Sequence, residues 1–392
     1  MARKAGDGRI QSAGILHDPE RSLYAQRFGS DRLRLRVRTL ADDVEEVMLE
    51  REGASSVPMA RAASSGAFDF WDAEVELRGE DSWSYGFIFE DAELRASHPS
   101  VFRMEAKGLV GLRTPDWAKH ATWYQIFPDR FRNGDPSNDP ARTRAWKSDW
   151  DVPAEWEGKD GQSFWEYYVF QRMYGGDLAG VSEALDHIQS LGVNALYFNP
   201  VFAAAGSHRY NATDFRHIDP ILGAGESLTE ATKDEDLLDP ESWIWTPSDR
   251  VFLDLLAECK SRGLRVVLDG VFNHVGVAHP AFIDVRENGE SSRFADWFEI
   301  ESFEPVRYAG WAGFGELPVF RKDGDGLASQ AVEDHVFAIT RRWMDPDGDG
   351  DPADGIDGWR LDVPMEVAMP FWDRWRTHVK SINPDAYITG EV

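Results

Sequence analysis

Three acids stand where short apolar runs end: Asp269 in Val266-Val-Leu-Asp-Gly270, Asp362 in Gly358-Trp-Arg-Leu-Asp362, and Glu391 in Tyr387-Ile-Thr-Gly-Glu391. Burying a carboxylate behind several apolar residues is costly unless it is paired or hydrogen-bonded. Three such groups at equivalent strand ends would converge on one mouth. Retaining glycosidases use two carboxylates about 5–5.5 Å apart, one attacking and one passing a proton. Arg360 precedes Asp362 by two residues and so points to the same strand face. A cation there is expected to lower the pKa of Asp362 and keep it an ionised nucleophile. Glu391 would then need a raised pKa to arrive protonated as the acid. From the residues alone, unrelated strand-end acids making caps or salt bridges remain the alternative.

Oxygen-rich clusters offer a second chemistry. Asn133, Asp135, Asn138 and Asp139 are closely spaced, and Gly175 and Asp177 could complete a shell. Calcium takes six to eight hard oxygen ligands, whereas an Asx-rich turn would spend the same side chains on its own backbone. The loop Asp345-Pro-Asp-Gly-Asp-Gly-Asp351 meets the first positions of a D-x-D-x-D-G calcium loop with Asp345, Asp347, Asp349 and Asp351. Ile356 stands where that loop needs Glu, so calcium and a solvated acidic loop are both open.

The elements that must position these groups change character along the chain. From about Gly14 to Val110, alternating runs such as Leu33–Thr39, Val47–Arg51, Phe68–Leu77 and Ser84–Glu90 are punctuated by turn residues. That pattern predicts a small antiparallel β-sandwich over residues 1–112, with Gly108–Trp117 as the linker. After Ala121, apolar runs at Thr122–Phe127, Ala195–Asn199, Arg265–Asp269, Gly358–Asp362 and Ala386–Glu391 alternate with helical spacing at Leu178–Leu191 and Val251–Arg262. Alternating β and α units predict a right-handed α/β fold over 118–392. Polar residues at the carboxyl ends of strands point to a (β/α)8 TIM barrel. A doubly wound sheet would also bind ligands there, but no Gly-rich phosphate loop follows any strand. The stretch His274–Ala331 is too long for a simple loop and predicts a small excursion over 275–331.

Composition narrows the partners. A net charge of −27 opposes binding to nucleic acid, which needs clustered Lys and Arg, and to an anionic membrane surface. A neutral substrate or a metal cation fits better. One Cys builds no disulfide framework. The first residues lack the apolar stretch of a secretory signal, and Val193–Ala205 is too short to span a bilayer. The expectation is a soluble, cytoplasmic protein. The sixteen Trp serve either as large core side chains or as flat surfaces for sugars.

Several of these motifs carry a family resemblance. Asp269-Gly-Val-Phe-Asn-His274, Gly358-Trp-Arg-Leu-Asp-Val-Pro-Met-Glu366 and Ile388-Thr-Gly-Glu-Val392 resemble three of the four sequence regions shared by the α-amylase family. Tyr124-Gln-Ile-Phe-Pro-Asp-Arg-Phe131, Asn133-Gly-Asp-Pro-Ser-Asn-Asp139, Gly175-Gly-Asp-Leu178 and Ser207-His-Arg-Tyr210 resemble its neopullulanase and cyclomaltodextrinase branch. The resemblance runs from about Trp123 to Val392. More weakly, the N-terminal segment is similar to that branch's starch-binding-type domain, through which homodimers are common.

The resemblance implies roles. Asp362 would be the nucleophile, Arg360 its partner, Glu391 the acid/base and Asp269 the structural acid beneath the site. Asn273 and His274 match the first region, with His274 bonding the sugar next to the cut; Tyr210 would be the platform under that sugar, with His208 beside it. Glu366 occupies the position where the branch carries Glu, which favours cyclodextrin, pullulan and short maltooligosaccharide substrates. Calcium is implied at the Asn133–Asp139 and Gly175–Asp177 positions, and no organic cofactor is needed. Asn211 stands where Asp is usual, Pro364-Met365 replaces Ala-Asn, and Leu317-Pro-Val-Phe320 only partly matches a fifth region. A fourth region and later strands are not in this sequence, so the expectation is a truncated chain with little turnover of its own. A non-catalytic carbohydrate-binding relative, and a sister enzyme that transfers glucan chains or cuts α-1,6 bonds, are the competing readings.

Overall fold

Strict alternation builds the first unit. In Arg32–Leu40, Leu33, Leu35 and Val37 are buried, and the arginines between them face out. Its antiparallel partner Phe68–Glu76 buries Trp71, Ala73 and Val75 in the same manner. With Ala25–Phe28 and Ala60–Ser65 these form a four-stranded sheet. A second sheet orders Val57–Pro58, Glu46–Arg51, Ser82–Asp91 and Leu94–Ser97, with Phe102–Glu105 also paired to Ser82–Asp91. Inner residues of both, including Leu49, Phe87 and Phe89, share one core, as an antiparallel sandwich requires.

The structure, a computed structural model, describes residues 4–21, 23–28, 32–77, 82–105, 114–145, 152–157 and 171–391. They divide into units Met1–Arg113 and Thr114–Val392. Residues 108–113 of the expected linker lie outside the described residues, and its last two residues, Asp116 and Trp117, belong to the short helix Asp116–Lys119. The outer face of the first sheet is charged: Arg36 pairs with Asp72 at 2.6 Å, and the Arg38 guanidinium lies 3.9 Å over the Phe68 ring. Among the described residues, none of this unit's exposed large hydrophobics is aromatic.

In the second unit five strands run parallel in the order β1 (Trp123–Ile126), β2 (Ala195–Phe198), β3 (Arg265–Gly270), β4 (Gly358–Leu361) and β5 (Tyr387–Gly390). Four lie within the runs that the sequence predicts, and β3 extends one residue beyond its run, to Gly270. Although β1 and β5 are at opposite ends of the sheet, the rings of Trp123 and Tyr387 lie 5.2 Å apart, and Trp117 packs on both. The sheet is thus curled, with side chains of first and fifth strands meeting on its concave face, as in a barrel interior. It is part of a (β/α)8 barrel.

The helices pack outside. The run Leu178–Leu191 forms two short helices, α1 (Leu178–Glu183) and α2 (Leu185–Ser190), broken at Ala184. Helix α3 (Pro247–Ser261) starts four residues before the expected Val251. Thr246 and Asp249 make a capping box and Pro247 takes the first helical position, both strong start signals. The excursion holds α4 (Pro280–Asn288) and the hairpins Ile300–Phe303/Val306–Tyr308 and Lys322–Asp323/Gly326–Leu327. It ends at Ser329 rather than 331, because α5 (Gln330–Met344) begins there. Helix α6 (Met369–Ile382) precedes β5. No helix of the described residues is long and apolar enough to cross a membrane.

One feature escaped the periodicity. Between β2 and α3 the chain makes the hairpin Phe202–Ala204/Ala212–Ile218. It is held by buried charge: His217 bonds Asp249 at 2.8 Å and Glu235 at 2.9 Å, and Arg216 bonds Asp214 at 2.7 Å. Burial works against charge on His217, but those two carboxylates outweigh it and raise the pKa to about 9.

Candidate active site

Register brings the charged groups together. Asp269 on β3 pairs directly with Arg360 on β4, and Asp362 and Glu391 follow the last residues of β4 and β5. Asp362 N–H donates to Gly270 O at 3.0 Å, and Glu391 N–H to Leu361 O at 3.0 Å. Immediately after Asp362, Val363 adopts φ 38°, an unusual value for a β-branched residue. That turn carries the chain away from the mouth and leaves Asp362 facing it.

A single guanidinium joins the three acids. Arg360 Nη1 donates to both oxygens of Asp269 at 2.9 and 3.0 Å and to Asp362 Oδ1 at 3.1 Å. Its Nη2 lies 2.8 Å from Glu391 Oε2. Asp269, 1% exposed, also accepts from the hydroxyls of Tyr197 at 2.6 Å and Tyr210 at 2.9 Å. Asn199 Nδ2 donates to the Tyr210 hydroxyl at 3.0 Å, and Gln125 Nε2 to Asn199 Oδ1 at 2.8 Å. A continuous polar layer thus crosses the concave face from β1 to β5. The sequence reading missed Gln125, Tyr197 and Asn199; their signal is strand parity, since each occupies an inward position.

Electrostatics correct one expectation. Asp362 is not held low by Arg360: its pKa is pushed up to about 7. Burial is the main cause; the Asp269 charge adds to it, Arg360 opposes, and Glu391 adds again. Arg360 cannot prevail because it is shared among three carboxylates. Asp362 is 7% exposed, whereas the Glu391 side chain is 48% exposed.

The expected sugar-binding residues cluster beside this layer. Arg209, at φ 61°, turns His208 and Tyr210 so that their rings stack at 5.9 Å. Burial lowers the His208 pKa to about 4. Asn273 and His274 follow β3. His274 is 1% exposed, with Nδ1 3.0 Å from Asn273 Nδ2 and Nε2 3.1 Å from Tyr210 O. Both its ring nitrogens therefore have partners within the protein. Trp311 stacks on it at 5.7 Å, and Phe314, 59% exposed, stacks on Trp311 at 6.3 Å. Those two rings and Lys322, bonded to Asn273 Oδ1 at 2.6 Å, come from the excursion and were not foreseen. Glu366 is exposed in the 3-10 turn Pro364–Glu366, and its charge reaches Lys322.

The pattern of the α-amylase catalytic domain matches residues 125–237 and 248–392, and that of the α-amylase N-terminal Ig-like domain matches residues 10–99. The chain belongs to the α-amylase family. It is 32% identical to a maltogenic α-amylase of Bacillus acidopullulyticus and 35% identical to neopullulanase 2 of Thermoactinomyces vulgaris. Each comparison covers 96% of this chain and 60% of the relative. The chain thus spans less than two thirds of the length of these relatives. Among solved structures, a cyclomaltodextrinase superposes with TM-score 0.70 at 32% identity, covering 97% of this chain and 60% of that one. A type III pullulan hydrolase from Thermococcus kodakarensis gives TM-score 0.65 at 27% identity, covering 96% and 61%.

In this α-amylase family chain the first oxygen-rich loop is assembled as a cradle. Asp177 is its hub, accepting N–H groups from Gly134 at 3.0 Å, Asp135 at 2.8 Å and Gly180 at 2.6 Å. Asp135 caps Ser137 N–H at 3.0 Å. Asn133 Nδ2 donates to Asp139 Oδ1 at 2.7 Å, yet the buried oxygens Asn133 Oδ1 and Asn138 Oδ1 have no hydrogen-bond partner among the described residues. Gly175, at φ +74°, lies so close to Asp139 and Asn133 that a Cβ there would collide with both. Orphaned hard oxygens beside a carboxylate suit a calcium ion. Burial raises the Asp139 pKa, and Asp177 and Asp135 add to the rise.

The second acidic loop closes differently from expectation. Asp345 and Asp347 converge with Asp354, not with Asp349 and Asp351. Asp349 accepts from Asp351 N–H at 2.7 Å and Asp351 from Ala353 N–H at 3.0 Å. Those two side chains are spent on their own turn, as Asp readily is.

Proposed function

We propose that this chain carries the paired carboxylates of a retaining α-glucan hydrolase acting on α-1,4- or α-1,6-glucosidic bonds of maltooligosaccharides, cyclodextrins, pullulan or starch. The shared guanidinium of Arg360 is the observation that carries the reading, since it sets Asp362 and Glu391 around one space. Glu391 protonates the glycosidic oxygen as the bond to the anomeric carbon breaks, and Asp362 attacks that carbon to form a glycosyl ester. Glu391, now a carboxylate, takes a proton from water, whose oxygen displaces Asp362 and releases the sugar. Asp269 holds Arg360, while Tyr210, His208 and Asn273 line the sugar-binding side, with Glu366 at its rim. His274 acts there through the atoms it bonds. The names of the relatives, among them neopullulanase and cyclomaltodextrinase, support an α-glucan as the substrate.

Calcium is assigned to the cradle of Asn133, Asn138 and Asp139, with Gly175 permitting the close approach, and Asp135 and Asp177 shaping the loop. Its contribution there is to tie the loop after β1 to the start of α1. The Asp345, Asp347 and Asp354 cluster is a weaker cation site. The β-sandwich of residues 1–112 is assigned to self-association, giving a homodimer.

Trapping tests the chemistry. A chain with Glu391→Gln, incubated with α-maltosyl fluoride, is expected to accumulate a maltosyl ester on Asp362, read by peptide mass spectrometry. An added Asp362→Asn should abolish it. An adduct on another residue, or none, overturns the assignment.

A further inference from the structure

Lys322 lies on no barrel strand, yet its bond to Asn273 constrains atoms at the site. Its ammonium offers donors only, so at 2.6 Å it must meet the oxygen of the Asn273 amide and not the nitrogen. That orientation turns Asn273 Nδ2 toward His274 Nδ1, 3.0 Å away. Nδ2 can only donate, so Nδ1 must accept, and the proton of the neutral imidazole resides on Nε2. There it faces the Tyr210 carbonyl at 3.1 Å, which can only accept. Both ends of the ring thus select one tautomer. Burial keeps that ring neutral, with a pKa lowered to about 4. Phe320 N–H, two residues before Lys322, donates to Asn273 O at 3.1 Å, so the excursion also fixes the Asn273 backbone.

We propose that Lys322 is a positioning residue: by dictating the orientation of the Asn273 amide it selects the Nε2–H form of His274 and links the excursion hairpin to the Tyr210 segment. Without the ammonium, the amide is free to turn its oxygen to His274 Nδ1. Both ring nitrogens would then face acceptors, and a proton would appear on Nδ1. The Tyr210 hydroxyl also bonds Asp269, so a disturbed His274 acts on the backbone that carries a hydrogen-bond partner of Asp269. The bearing of this link on glucan handling rests on the proposed function; the tautomer does not.

The test is 15N-histidine spectroscopy of the 392-residue chain at about pH 8, well above the lowered pKa of His274. The parent should show His274 protonated at Nε2 alone. Lys322→Met should populate Nδ1–H, and Lys322→Arg, which also offers only donors, should restore the single form. If Lys322→Met does not fold by circular dichroism, Lys322→Gln serves, since an amide presents donor or acceptor and no longer dictates. A folded loss variant that keeps Nε2–H alone overturns the proposal, as does a parent protonated on Nδ1. Added maltoheptaose separates the two readings: no spectral change with it would count against the glucan function while leaving the tautomer result standing.

Discussion

Both carboxylate oxygens of Asp269 lie within 3.0 Å of one nitrogen of Arg360. The cation nearest Asp362 is therefore already engaged by a second, more deeply buried acid. Asp269 raises the pKa of Asp362 twice over, through its own charge and by claiming Arg360.

Asp269→Asn should reverse that effect. The neutral amide removes the negative charge that most opposes ionisation of Asp362 and leaves Arg360 freer to pair with it. Formation of the maltosyl ester needs ionised Asp362, so in the Glu391→Gln chain its rate should rise with pH around a midpoint below the parent's value of about 7, because the Glu391 charge that adds to the rise is gone. Adding Asp269→Asn should move that midpoint toward the ordinary carboxylate range. A midpoint that stays put would show that burial alone controls Asp362.

Stability should carry the same signature. Asp362 goes from an ordinary value of 3.8 to about 7 on folding, so the folded state binds this proton more tightly than the unfolded chain. The favourable contribution is complete below the unfolded value and is lost as pH rises through about 7. Asp362→Asn is thus expected to stabilise the fold above pH 7, by about 2–4 kcal/mol, with the difference gone near pH 4. Thermal melts of both chains across that range measure it.

His217 predicts a second loss of stability at higher pH. Its folded pKa of about 9 lies above the ordinary 6.5, so its contribution is complete below 6.5 and disappears as pH rises through 9. For a buried group the loss is about 1–3 kcal/mol. His217→Phe should melt lower than the parent at pH 6, and the gap should narrow by pH 9.5.

Calcium should stabilise the parent, by about 2.7 kcal/mol at roughly 100 times its Kd. Asp139→Ala should abolish most of that gain, whereas Asp349→Ala should leave it intact because Asp349 only caps its own turn. Chelator-treated chains titrated with calcium and followed by melting temperature would show the difference.

The catalytic candidates were legible because each sits at the end of an apolar run, and strand parity puts Arg360 and Asp362 on one face. The sandwich was legible from period-2 alternation and the five strands from short apolar runs between helical stretches, and the capping box at Thr246 was present to be read. What the residues could not convey was which charge reaches which. The protonation of Asp362 depends on its burial and on Asp269, 93 residues away. The choice of Asp354 over Asp349 and Asp351, the engagement of both nitrogens of His274, and the arrival of Trp311 and Lys322 depend equally on how distant loops close. Local sequence sets backbone periodicity and the supply of functional groups. Solvent exclusion and the sharing of a cation among acids arise only when separate strands are brought within a few ångströms, so tertiary structure alone decided them.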